Sequence, residues 1–95
     1  MPIAYCVLEL YLPYSRSLKE KRLVLRKAKD RLRARSNFSI AEVDYQDLWQ
    51  RAKLAAVTVG SSNAVLERAT QQFIKEAENM LEDLLIDCQV SFMDP

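Results

Sequence analysis

S-R-S-L-K-E-K-R-L-V-L-R-K-A-K-D-R-L-R-A-R, residues Ser15 to Arg35, is the stretch that decides the fold. No Gly or Pro interrupts it, and Ser17 with Glu20 gives the S-x-x-E pattern of a helix start, where side chains satisfy free backbone N–H groups. On a 3.6-residue wheel Leu18, Leu25, Ala28 and Leu32 share a stripe that should be buried. Lys19, Arg22, Arg26, Lys29 and Arg33 share another. The stretch carries ten of the fourteen Lys and Arg residues against two acids, Glu20 and Asp30, a net of +8.

Upstream lies I-A-Y-C-V-L-E-L-Y-L, residues 3–12, a strand with Ala4, Cys6, Leu8, Leu10 and Leu12 on one face. Pro13 ends it, having no N–H for a ladder. Downstream, residues 38–43 alternate as a short strand with Phe38 and Ile40 inward. Asp44 to Asp47 has turn chemistry. Residues 49–59 form a third strand. Lys53 must face water there, so Ala52, Leu54, Ala56 and Thr58 face in, unless a bulge near Ala55 and Ala56 flips the register. A second helix spans residues 64–84, with Leu66, Ala69, Phe73, Ala77, Met80 and Leu84 as its buried stripe. Residues 86–92 make the last strand, with Ile86, Cys88, Val90 and Phe92 inward.

The order β-α-β-β-α-β in one domain, residues 1–95, predicts an α+β, ferredoxin-like sandwich. The sheet should be four-stranded and antiparallel in the order 4-1-3-2, with both helices on one face. Its other face stays open and presents Tyr5, Val7, Tyr11, Ala55, Val57 and Val59, an apolar set for a surface left in water.

A hydrophobic fraction of 49% excludes a disordered chain, and no apolar run approaches the ~20 residues of a membrane span. Met1 leads directly into a strand pattern rather than a signal peptide, so a cytoplasmic location is expected. The net charge of +1 conceals an asymmetry, because residues 60–95 carry seven acids and only Arg68 and Lys75. Cys6 and Cys88 have no metal-ligand spacing and are expected as buried thiols.

Catalytic chemistry is poorly represented. There is no histidine, and one glycine cannot build a phosphate-cradling loop. No C-x-x-C occurs, and the serines have no base beside them. Glu42, Asp44 and Asp47 offer three acids to a hard cation, but turn formation plus a cross-strand Glu42–Arg51 pair accounts for them better. The aromatic signature of RNA-recognition modules is missing too, since the strand-three positions beside Tyr5 are Lys53, Ala55 and Val57. No catalytic residue, metal, cofactor or small-molecule substrate is expected.

The basic stripe would extend about 21 Å at 1.5 Å per residue. Its like-charged neighbours cost roughly 1–2 kcal/mol in all. Three things would offset that: acids of the second helix (Glu76 and Asp83, or Glu67 and Glu78), nucleic-acid phosphates, or an acidic protein.

Three segments together resemble the YlxP-like family, small bacterial proteins classed as a domain of unknown function. They are Leu12-Pro13 with Ser17-Leu18-Lys19-Glu20-Lys21-Arg22, Asn37-Phe38-Ser39-Ile40-Ala41-Glu42-Val43, and Asp47-Leu48-Trp49-Gln50-Arg51-Ala52. Tyr14-Ser15 departs from the small residues the family tends to place in that turn. The resemblance implies a ferredoxin-like sandwich and no known enzyme activity. Genes of the family often lie among those for transcription elongation, translation initiation and ribosome maturation, which implies a link to RNA or the ribosome. The expectation is therefore a non-enzymatic protein that binds RNA or a ribosomal particle through Lys19, Arg22, Arg26, Lys29 and Arg33. The alternative is a homodimer or protein-interaction module working through the open sheet face.

Overall fold

The computed structural model describes all residues, 1–95. The elements are β1 (Ile3–Tyr11), α1 (Leu18–Arg35), β2 (Ser39–Asp44), β3 (Arg51–Val59), α2 (Asn63–Leu81), one 3-10 turn (Glu82–Leu84) and β4 (Leu85–Met93). The strands lie in the order β2-β3-β1-β4, every pair antiparallel. This is the ferredoxin-like sandwich that the order of elements requires.

Local chemistry starts both helices. Ser17 is extended, and its Oγ accepts the Glu20 N–H at 3.1 Å. Glu20 returns its carboxylate to the Arg16 N–H at 2.7 Å, one residue before the Ser17 N–H that the motif predicts. Ser62 caps α2 through the Val65 N–H at 3.3 Å. Gly60 stands where the chain leaves β3, and a Cβ there would lie 3.0 Å from the Leu66 Cβ, so a larger residue would require the start of α2 to give by a few tenths of an ångström.

The core lies between the helices and the inner sheet face. Cys6, Leu8 and Leu10 of β1 and Ala52, Leu54 and Ala56 of β3 are almost fully buried, beneath Leu25, Ala28 and Leu32 of α1 and Phe73, Ala77 and Leu81 of α2. Phe38 stacks on Phe73 with ring centroids 4.1 Å apart. Thr58, at the inner end of β3, is satisfied by donating to the Asn37 carbonyl at 2.8 Å. No bulge occurs at Ala55–Ala56, so the register of β3 follows the outward-facing Lys53.

Three packing expectations need correction. On α1 Lys21 is buried while Leu18 is only half-buried. On α2 the buried stripe runs Leu66, Thr70, Phe73, Ala77, Leu81, and Ala69 is exposed. Thr70 tolerates burial because its hydroxyl donates to the Leu66 carbonyl at 2.8 Å. On β4 a register shift opposite Glu9 and Leu10 makes Ile86 the extra residue. Leu85 therefore packs on the core and Ile86 is exposed. Phe92 is about half exposed near the end of this edge strand.

Candidate nucleic-acid interface

Helix α1 packs beside β2, and α2 covers β1 and β4. The flank of α1 turned toward β2 carries the basic stripe. Arg22, Arg26, Lys29 and Arg33 line a shallow cleft of about 390 Å³ with Leu25, Asp30 and Glu42. Lys19 is exposed one turn earlier, outside the cleft.

The cations differ in how they are held. Arg33 donates to the Ile40 carbonyl at 2.6 Å and stands 3.7 Å from Asp30, which ties it to the start of β2. Lys19, Arg22, Arg26 and Lys29 have no acidic oxygen within 4.0 Å. The expectation that acids of α2 neutralise the stripe is not met at these positions. The single ion pair between the helices, Arg35 to Glu76 at 3.5 Å, involves a residue outside the stripe.

Glu42 would weaken the cleft's field if it were free. Instead its Oε2 lies 2.8 Å from the Lys21 Nζ, and the Lys21 side chain is 1% exposed. The same Nζ donates to the Tyr45 carbonyl at 2.6 Å. Lys21 thus cancels the carboxylate from below, and the four cleft cations face only Asp30. The expected Glu42–Arg51 pair does not form. Glu42 sits opposite Leu54 on the inner face, while Arg51 sits opposite Tyr11 on the outer face. Glu42, Asp44 and Asp47 are not gathered as ligands either, since Asp44 turns back to the Tyr45 N–H at 2.8 Å.

Tyr45 joins the two faces. Its φ of 61° is left-handed, unusual for a tyrosine, and aims its carbonyl at Lys21. Its ring lies under the Arg51 guanidinium at 4.6 Å and the Lys53 ammonium at 5.6 Å, and its hydroxyl donates to Glu9 at 3.3 Å. Glu9 also stands 3.6 Å from both Arg51 and Lys53. Tyr45 and Lys21 escaped the sequence reading. The one available signal was a lysine at helical spacing from Leu18 and Leu25.

The open sheet face divides in two. Tyr5 lies opposite Val57, Val7 opposite Ala55, and Ile3 opposite Val59, forming its apolar half. Tyr11 is on the same face but beyond Glu9 and Lys53, so it does not join the other five predicted interface residues. Cys6 is buried and Cys88 half-buried on the inner face. Burial, then the neighbouring Cys88, pushes the Cys6 thiol up to about 11. Cys88 is raised by burial and then by the charges of Glu78 and Asp87. Neither thiol is a nucleophile at neutral pH.

Known proteins agree with this fold. The designed protein Ferredog-Diesel superposes with a TM-score of 0.58 at 16% identity, over 94% of this chain and 83% of that one. Rv0793 from Mycobacterium tuberculosis gives 0.56 at 15% identity, over 100% and 95%. A mutant of SnoaB, a cofactor-independent oxygenase from Streptomyces nogalater, gives 0.53 at 12% identity, over 99% and 92%. At such identities the likeness concerns the fold alone. In sequence, the chain is 41% identical over 58 residues to "Uncharacterized protein YlxP" of Bacillus subtilis (strain 168), a match spanning 61% of this chain and 63% of that protein's length. The family model described as "Protein of unknown function (DUF503)" matches residues 3–90, so the chain belongs to that family.

Proposed function

We propose that this is a non-enzymatic, cytoplasmic RNA-binding protein that holds the phosphates of an RNA or a ribosomal particle along α1. The observation that carries this reading is the cleft of Arg22, Arg26, Lys29 and Arg33, whose neighbouring carboxylate Glu42 is neutralised by the buried Lys21. The guanidinium and ammonium groups of Arg22, Arg26 and Lys29, with no acidic oxygen within 4.0 Å, match a phosphate backbone from one rigid helix and release its counterions on binding. Contacts of this kind position the protein without reading sequence. The test is fluorescence anisotropy of a labelled RNA against salt. Binding should weaken steeply with salt, and Arg22→Gln/Arg26→Gln/Lys29→Gln should lower affinity and flatten the salt slope. Absence of binding to any RNA or ribosomal particle at low salt would overturn the reading.

A second reading rests on a separate observation, the apolar half of the open sheet face. Tyr5, Val57 and Val59 are exposed there, with Val7 and Ala55 between them. We infer that a second copy of the chain covers this face, which leaves α1 of each copy free for RNA.

A further inference from the structure

We propose that the β2–β3 loop stacks an unpaired base on Trp49, which makes single-stranded RNA the preferred ligand. The inference rests on the RNA reading above and adds the class of RNA. Trp49 is the chain's only tryptophan and is 53% exposed. With Asp47, Leu48, Gln50 and Arg51 it lines an open concavity of about 420 Å³. A half-exposed indole beside a half-exposed leucine is apolar surface with no partner inside the chain, and its flat face suits a nucleobase.

The loop is fixed on both sides of Trp49. The Leu48 N–H donates to the Tyr45 carbonyl at 3.0 Å, and Lys21 donates to that carbonyl from α1. Gln50 accepts the Leu12 N–H on its carbonyl at 2.8 Å, and its side-chain amide donates to the Pro13 carbonyl at 3.0 Å. The indole is therefore held on a preorganised loop and needs little ordering on binding. The Lys21 contact also places this loop against α1 one residue before Arg22, where the phosphate cleft begins. On the path we infer, a strand whose phosphates follow Lys29, Arg26 and Arg22 continues toward this loop.

The concavity also offers polar edges. Asp47 supplies acceptors for an exocyclic amine. Arg51, whose side chain is partly exposed, lines the same concavity. Stacking tolerates any base, because every base has a π face, but it requires that the base be unstacked. A duplex meets the phosphate requirement and fails the second one.

The probes are a labelled single-stranded oligouridylate and a blunt RNA duplex of equal length, titrated against the full chain while indole emission is followed. The oligouridylate should quench Trp49 and bind roughly tenfold more tightly than the duplex. Trp49→Ala should erase that preference while keeping the salt-dependent binding that Arg22, Arg26 and Lys29 supply. Trp49→Phe should retain most of it. Circular dichroism of each variant controls for folding. Equal binding of both RNAs with unchanged indole emission overturns this inference and leaves the phosphate reading standing. An emission shift that tracks protein concentration without RNA also overturns it, assigning Trp49 to a contact between copies. No binding of either RNA overturns both readings together.

Discussion

Lys21 on α1 and Glu42 on β2 form an ion pair of 2.8 Å beneath the basic cleft, with the lysine side chain 1% exposed. A buried ammonium is costly unless it is partnered, and Lys21 has two partners: the Glu42 carboxylate and the Tyr45 carbonyl. The pair therefore acts at two levels. It anchors the helix to the β2–β3 loop, and it removes a negative charge from the surface that carries Arg22, Arg26 and Lys29.

The energetics of such a pair are asymmetric. Lys21→Met strands a buried carboxylate and a carbonyl, so urea denaturation should show a loss of about 3–5 kcal/mol. Lys21→Met with Glu42→Leu removes both charges, and most of that loss should return. A double variant as unstable as the single one would mean that the Tyr45 carbonyl, rather than Glu42, is the partner that matters.

Within the stripe, Arg33 and Arg22 should behave differently. Arg33 already donates to the Ile40 carbonyl and contacts Asp30. Arg22 has no acidic partner. Arg33→Gln should cost stability, about 1 kcal/mol through the lost charge-assisted bond, with a small effect on RNA affinity. Arg22→Gln should leave stability unchanged and reduce the salt slope of RNA binding by roughly 0.7, the increment for one phosphate contact on a single strand. Equal effects of the two substitutions on affinity would contradict this division.

The fold was legible because periodicity and burial agree along most of the chain. Lys53 alone sets the register of β3, and Cys6, Leu8 and Leu10 can only face a core. The misses share a physical cause, in that a local exception was settled by a tertiary partner. Lys21 reads as solvated until a carboxylate from β2 arrives above it. The register of β2 against β3 is shifted between Glu42 and Asp44, and Glu42 faces α1 rather than Arg51. Ile86 is displaced by a shift that exists only where β4 meets β1. For the candidate interface, the stripe could be read from spacing, whereas its freedom from α2 acids could not. That depended on which flank of α1 faces β2.

The two thiols give a pH prediction. Cys6 is held at about 11 in the folded chain, against an ordinary 9.0. The folded state thus keeps this proton where the unfolded state has released it, so stability falls as pH rises from about 9 to about 11. Below pH 9 the contribution is fully present. The loss should be at most 2–3 kcal/mol from Cys6 alone. Denaturation midpoints across this range should decline for the wild type and decline less for Cys6→Ala. At neutral pH both thiols should react slowly with a disulfide reagent in the native state and rapidly in urea.

The open face makes the last prediction, and its size decides the expected affinity. The nine-residue strands β1, β3 and β4 span about 30 Å each and the six-residue β2 about 20 Å, so at about 4.8 Å per strand the face is roughly 500 Å² in projection. Only the half around Tyr5, Val7, Ala55, Val57 and Val59 is apolar, while Glu9, Arg51 and Lys53 occupy the rest. Stable dimers bury about 800 Å² per partner, so two copies meeting here should associate weakly, with micromolar rather than nanomolar affinity. Two-fold symmetry would set each Val57 near its counterpart, because Val57 is central, with Tyr5 beside it on β1 and Ser39 on β2. Val57→Lys adds two like charges at that centre. It should abolish association and leave monomer stability within about 0.5 kcal/mol, since the side chain faces outward. Glu82→Lys, at an exposed site on the other layer, should leave association unchanged. Sedimentation over a range reaching high micromolar concentration is the measurement. A wild type that stays monomeric throughout would remove the dimer, and the exposed valines would then count as ordinary surface.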